Sequence, residues 1–181
     1  MILDVVKYGD GVLREKARPV VVVTGELREL ASDMVDTMHG AKGVGLAAEQ
    51  VGRLERVCVI DIPDGCDEQA DALFNAPIAM PLVMFNPEVI AMEGTQRDKE
   101  GCLSFPGVGG SITRAAQVTC QYLDMDNRPQ VITARGFLAR AIQHEVDHLN
   151  GILYVDHMSA VERLSYAAKL KKLAKANGGV R

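Results

Sequence analysis

Between residues 56 and 136 the chain breaks into short runs rich in β-branched residues, and long helical periodicity stands only on either side of them. The runs are "RVCVIDI" (56–62), "LVMFN" (82–86), "PEVIAMEG" (87–94), "QVTCQYLD" (117–124) and "PQVITARG" (129–136), punctuated by Pro, Gly and Asn. "DNRP" between the last two reads as a hairpin turn, since Asp and Asn side chains bond back to nearby backbone and Pro presets the bend. Strands grouped between helices, rather than alternating with them, predict an α+β domain with antiparallel sheets.

The helices flank this block. "TGELRELASDMVDTMHG" puts Leu27, Leu30, Ala31, Met34, Val35 and Met38 at helical spacing, with Thr24 as N-cap and Gly40 as C-terminal stop. This is an N-terminal amphipathic helix. Helical spacing returns from about 136 to 150, and a last helix runs from about 159 to 175. The stretch 64–81, "DGCDEQADALFNAPIAMP", has no sustained period and reads as an excursion between strands. With 181 residues, 48% of them apolar, the chain has the size of one ordinary domain, so 1–181 is read as a single domain.

Charge and composition narrow the function. A net charge of -4 argues against general nucleic-acid binding. No run approaches the ~18 apolar residues that span a bilayer. "MILDVVKYGDGVLREK" lacks the apolar core of an export signal, so no membrane role and a cytoplasmic location are expected. Cys58, Cys66, Cys102 and Cys120 should then be reduced, and a special cysteine is more readily a ligand or nucleophile than half of a disulfide.

The helix that follows the central block carries "QHEVDHLNG" (143–151), with two of the four histidines four residues apart. At about 100° per residue, His148 falls roughly 40° from His144, Phe137 about 20° and Ala141 about 60°, so both imidazoles share a face with apolar neighbours. Glu145 falls between the histidines and the stripe of Leu138, Ile142 and Leu149. Asp147 lies beside Gln143 and Arg140 on the polar side, where it is expected to meet water. Imidazoles on neighbouring turns can bind one ion, and an adjacent inward Glu can take a proton from water without itself ligating. Such a pair can also be plain structure. A third ligand is needed to decide.

Two upstream stretches bear on that. "EGCLSFPG" (100–107) offers Cys102 in a segment too irregular for a plain strand, and "GVGLAAEQVG" (43–52) sets glycines before an apolar run that ends in Gln50. Alone each is weak: Gly43 and Gly45 can simply end a helix, and Cys102 can be a small buried hydrophobe. Together, in order, G-x-G-L-A-A-x-Q, E-G-C-L-S and Q-H-E-x-D-H resemble the signatures of the peptide deformylases, and the likeness covers nearly the whole chain.

That resemblance implies antiparallel sheets packed around a central metal-binding helix, with an N-terminal and a C-terminal helix. It implies a hydrolase that removes formyl from the N-terminal formyl-methionine of newly made polypeptides and releases formate. Cys102, His144 and His148 are the implied metal ligands, with one Fe²⁺ per chain and Zn²⁺ as a substitute in purified protein. Glu145 is the implied general base, and Gln50 with the Leu103 backbone N–H the oxyanion donors. Val44, Gly45, Phe137 and Ala141 are the implied substrate contacts, an extended peptide pairing along Val44 and Gly45 as an added strand. Arg140 stands where relatives tend to be aliphatic; with its guanidinium turned outward, its stem alone would face the methionine pocket. Lys42 stands where an acid is frequent.

The C-terminal helix, "SAVERLSYAAKLKKLAKANGGVR", gathers Lys169, Lys171, Lys172, Lys175 and Arg181. These suit a solvated helix terminus beside the dipole, or docking on the ribosome near the peptide exit, which some bacterial members do with such a helix. A helical terminus resembles the type 1 branch, and a monomer is implied. Two other functions share parts of the pattern. A zinc endopeptidase also carries His-Glu-x-x-His, but with its third ligand downstream and a larger cleft. An inactive ribosome-binding relative would be expected to have lost Gln50, Cys102 or Glu145.

Overall fold

The computed structural model describes residues 1–178. In chain order the elements are α1 (Gly25–Gly40), β1 (Gly45–Ala47), β2 (Val57–Ile60), α2 (Gln69–Asn75), β3 (Leu82–Glu93), β4 (Gln96–Gly101) and β5 (Gly109–Arg114). They continue with β6 (Gln117–Leu123), β7 (Pro129–Arg135), α3 (Gly136–Leu149), α4 (Ala160–Ser165) and α5 (Ala167–Asn177). Five strands form one sheet in the order β1-β2-β3-β6-β7, and β4 and β5 form a separate ribbon; every pairing is antiparallel. The expected α+β class with antiparallel sheets is what folds.

The apolar run of β2 explains the layering. All four of its residues are buried, and successive side chains point to opposite faces of a strand. Cys58 and Ile60 join the core under α3, with Met84, Leu138 and Ile142. Val57 and Val59 join the core under α1, with Leu30, Met34, Met38 and Phe85. The sheet is thus covered by the N-terminal helix on one face and by the histidine-bearing helix on the other.

Local signals hold at the ends of these elements. The Thr24 hydroxyl caps α1 by accepting from the Leu27 N–H, and the helix closes at Gly40. Asp124, at the "DNRP" turn, accepts from the backbone N–H groups of Asp126 and Arg128, and Asn127 takes φ 63 to complete the bend. The runs 82–86 and 87–94 are one strand interrupted by a bulge. Asn86 enters the left-handed region at φ 52, and its side chain exchanges two hydrogen bonds with the backbone of Val20.

Other segments depart from expectation. The excursion at 64–81 contains the short helix α2 and docks on the start of α3, where Asp67 Oδ1 accepts from the Phe137 N–H at 2.6 Å. Arg135 has no side-chain cap to offer there, so a residue 70 positions upstream serves an orphan donor of the α3 N-terminus. The ribbon β4–β5 covers the remaining side of α3. It encloses a third core with Phe105, Ile112, Tyr154 and Leu170. The last helix is two helices, α4 and α5, divided at Tyr166. Of the basic cluster at the C-terminus, Arg181 lies outside the described residues. No described helix is long and apolar enough to cross a membrane, and all four cysteines are free.

Candidate functional site

Helix α3 fixes two imidazoles by its period, and the turn after β4 brings in the sulfur. His144 and His148 stand one turn apart with ring centroids 5.0 Å from each other. Cys102 Sγ lies 3.3 Å from His148 Nε2, and one ligand atom from each of Cys102, His144 and His148 falls within 4.8 Å of the others. Both histidines are buried and the cysteine is half-buried. A thiolate and two imidazoles converging in this way can hold a single divalent ion and leave a coordination position open.

The surrounding side chains orient this set. His144 Nδ1 lies 2.9 Å from Glu100 Oε2, so a proton on Nδ1 is held by a carboxylate and Nε2 is left for the site. Burial disfavours protonation of His144, but Cys102 and Glu100 outweigh it and raise its pKa. Burial lowers the pKa of His148, and neighbouring His144 adds to this, which suits a group that must be neutral to ligate. Gln50 is fixed at both ends. Its Oε1 accepts from the Ala47 N–H at 2.9 Å, which directs Nε2 to Cys102 Sγ at 3.2 Å and Ser104 Oγ at 3.1 Å.

Glu145 is 4% exposed, and its Oε2 has no partner among the described residues. Burial pushes its carboxyl up to about 7, with the charge of His144 opposing. The backbone of β1 passes so close that a Cβ on Gly45 would overlap the Glu145 carboxylate. Any larger residue here would displace the Glu145 carboxylate from the position it holds.

These groups meet in one cleft of about 420 Å³. Gln50, Cys102, Leu103, His144 and Glu145 line its inner part, and Val44, Gly45, Phe137 and Ala141 line its apolar wall. His148, with Nε2 3.3 Å from the sulfur, lies outside the lining. β1 is the edge strand of the five-stranded sheet, and its first residue, Gly45, lines this cleft.

The same cleft-bearing chain has clear relatives among known proteins. The sequence model of the family described as Polypeptide deformylase matches residues 2–164. The chain belongs to the peptide deformylase family. The peptide deformylase of Endomicrobium trichonymphae is 42% identical over 174 residues, covering 96% of each chain. Among solved structures, the peptide deformylase of Thermus thermophilus superposes with a TM-score of 0.84 at 36% identity, over 97% of this chain and 99% of its own. That of Legionella pneumophila gives 0.82 at 37% identity over the full length of both. The protein is accordingly an enzyme, a deformylase hydrolase of N-terminal processing in protein biosynthesis.

Two expectations about helix α3 of this deformylase are corrected. Arg140 does not turn to solvent: it is 2% exposed, and its Nη1 donates to Glu100 Oε1 at 2.7 Å and to the Ile112 carbonyl at 3.0 Å. Asp147 does not face open water: it pairs with Arg114 and, at 2.8 Å, with His157. Both changes have one cause, the β4–β5 ribbon laid over the helix face that a single-helix wheel assigns to solvent. Glu100 and Arg114 are the residues missed. Glu100 accepts from Arg114, Arg140 and His144 together, and its only signal in the sequence was its place two residues before Cys102.

One further acid stands beside the site. Glu49 is fully buried, and neither of its oxygens has a well-formed hydrogen bond among the described residues. Burial pushes its carboxyl from an ordinary 4.5 up to about 8, against the pull of Arg56. Because the folded pKa is raised, the native state disfavours ionisation, and stability falls as pH climbs from the unfolded value towards about 8. At roughly 1.4 kcal/mol per pH unit this costs about 3 kcal/mol at neutral pH. Urea unfolding of Glu49→Gln is expected to match wild type near pH 4.5 and to exceed it by about that amount at pH 7. A difference that does not vary with pH would show that the carboxyl is solvated or paired.

Proposed function

We propose that this enzyme removes the formyl group from the N-terminal formyl-methionine of newly synthesised polypeptides and releases formate, using a single Fe²⁺ held by Cys102, His144 and His148. The observation that carries this reading is a cluster of three ligand atoms at a cleft whose lining also includes a buried unpartnered carboxylate and an oriented amide. The donor set fits such an ion, since a thiolate and neutral imidazoles suit Fe²⁺ or Zn²⁺. Zn²⁺ is the substitute expected in purified protein. When bound, the ion acidifies water and polarises the formyl carbonyl.

The side chains supply the remaining steps. Glu145 accepts a proton from the attacking water and returns it to the methionine nitrogen as the carbon–nitrogen bond breaks. Gln50 Nε2 and the Leu103 N–H donate to the oxygen that gains negative charge. Phe137 and Ala141 receive the methionine side chain. The peptide backbone adds to the edge strand β1 beside Val44 and Gly45, which line the cleft.

Partners and location follow from this reading: a nascent chain as substrate, a cytoplasmic monomer, and ribosome contact through the basic face of α5. The test is anaerobic purification followed by metal analysis and formate release from formyl-Met-Ala-Ser on the same sample. Iron near one equivalent with steady formate release is expected. Casein cleavage without formate release would favour an endopeptidase and overturn the reading.

A further inference from the structure

The cleft opens between two lysines. Lys42 and Lys99 both line it and both are exposed, and neither ammonium has a hydrogen bond or ion pair to another described residue. The carboxylates lining the same cleft are Glu100 and Glu145, and both are withdrawn from the mouth. Glu100 is buried and neutralised by Arg114 and Arg140, and Glu145 lies against the Gly45 backbone. The whole chain is acidic, with a net charge of -4, so a mouth with two uncompensated cations is a local reversal of sign.

The backbone at Lys42 adds to this. Helix α1 ends at Gly40 with Ala41 as its C-cap, and Lys42 follows in the left-handed region at φ 57. Its N–H reaches the His39 carbonyl and that of Gly43 reaches Met38, closing the helix end. Glycine is the usual residue at this position, and a side chain here carries a conformational cost. A cation beside a helix C-terminus is favourable in its own right, so the charge has two possible uses that an experiment can separate.

A peptide added to the edge of β1 advances about 3.3 Å per residue. The residues that follow the methionine therefore leave the cleft at its mouth. We propose that Lys42 and Lys99 make this deformylase select its substrates by charge, favouring acidic side chains at the second and third residues and disfavouring basic ones. This rests on the proposed deformylase reading and names the substrate class of that site. Exposed, salt-screened charges of this kind change affinity up to roughly fivefold each.

The test compares kcat/KM of the metal-loaded enzyme for formyl-Met-Glu-Glu, formyl-Met-Ala-Ser and formyl-Met-Lys-Lys, all with amidated C-termini, at low and high salt. The acidic peptide is expected to exceed the basic one by roughly tenfold at low salt, chiefly through KM, with the gap closing as salt is added. K42E and K99E each narrow the gap and the double variant inverts it. K42G removes the charge while giving the backbone the residue it favours, so it folds and also narrows the gap. Equal kcat/KM for the acidic and basic peptides overturns the proposal, as does a preference that survives in the double variant. A K42G enzyme with altered stability but an unchanged gap overturns the role of Lys42, leaving it a helix terminus only. If formyl-Met-Ala-Ser itself yields no formate, the deformylase reading fails instead.

Discussion

Replacing Glu145 with glutamine is expected to lower kcat for formyl-Met-Ala-Ser by about 10³-fold or more while the metal content stays at the wild-type level. The side chain is 4% exposed, lies against the Gly45 backbone and leaves Oε2 without a protein partner among the described residues. A carboxylate kept in that state is costly unless it has a task, since a buried polar oxygen without a hydrogen bond destabilises the fold. Glutamine keeps the shape and the contact with β1 but cannot take up a proton. Glu145→Ala removes the group altogether and should lose turnover to the same degree, with a separate loss of packing. Neither change touches Cys102, His144 or His148, so iron analysis reports on the proposed ligands independently of turnover. Formate release at the wild-type rate from either variant, measured anaerobically with Fe²⁺, would assign the proton transfer to another group.

How much of this could be read from the amino acids depends on the range over which each signal acts. The helical period of 136–150 placed Glu145 inward with the histidines because the decision is local to one helix, and burial of all three bears it out. The run 56–62 reads as a strand from its β-branched residues, but that two cores share Val57–Ile60 is visible only once helices pack on both faces of the sheet. The same helical wheel misplaced Arg140 and Asp147, since a wheel describes one helix and knows nothing of what is laid over it. The covering ribbon hides well: "QRDKEG" alternates no apolar residues, because β4 is a two-stranded edge with most side chains in water. Helix α2 was illegible for a related reason. It is seven residues long, and the segment around it is fastened by Asp67 to Phe137 and by Asn75 to Arg135, contacts 60 to 70 residues apart in the chain. The orientation of Gln50 is also a product of folding, set by the Ala47 N–H on one end.

The residue that sequence reasoning left without a role carries the second large effect. Glu100→Gln is expected to destabilise the metal-free protein by about 3 to 5 kcal/mol in chemical unfolding. In the native protein the Glu100 carboxylate faces Arg114 through two hydrogen bonds of 2.9 and 3.0 Å and Arg140 through one of 2.7 Å, with all three side chains at most 5% exposed. A buried ion pair adds little over a well-packed apolar substitute, but removing one partner leaves the other charges uncompensated where water cannot reach them. Asp147 pairs with Arg114 from the far side, so Arg114 keeps one carboxylate when Glu100 is neutralised. Arg140 keeps none among the described residues, only the Ile112 carbonyl, and its Nη2 already lacks a partner there. The loss should therefore fall mainly on Arg140, and the double variant Glu100→Gln with Arg140→Leu should regain much of it, which a mutant cycle measures directly. The same substitution exchanges the carboxylate that holds His144 Nδ1 for a neutral amide, and metal affinity in a chelator competition is expected to drop about 10- to 100-fold. A Glu100→Gln protein as stable as wild type would show that Arg140 and Arg114 are solvated in solution. Unchanged affinity with lowered stability would confine Glu100 to the ion cluster and remove it from the metal site.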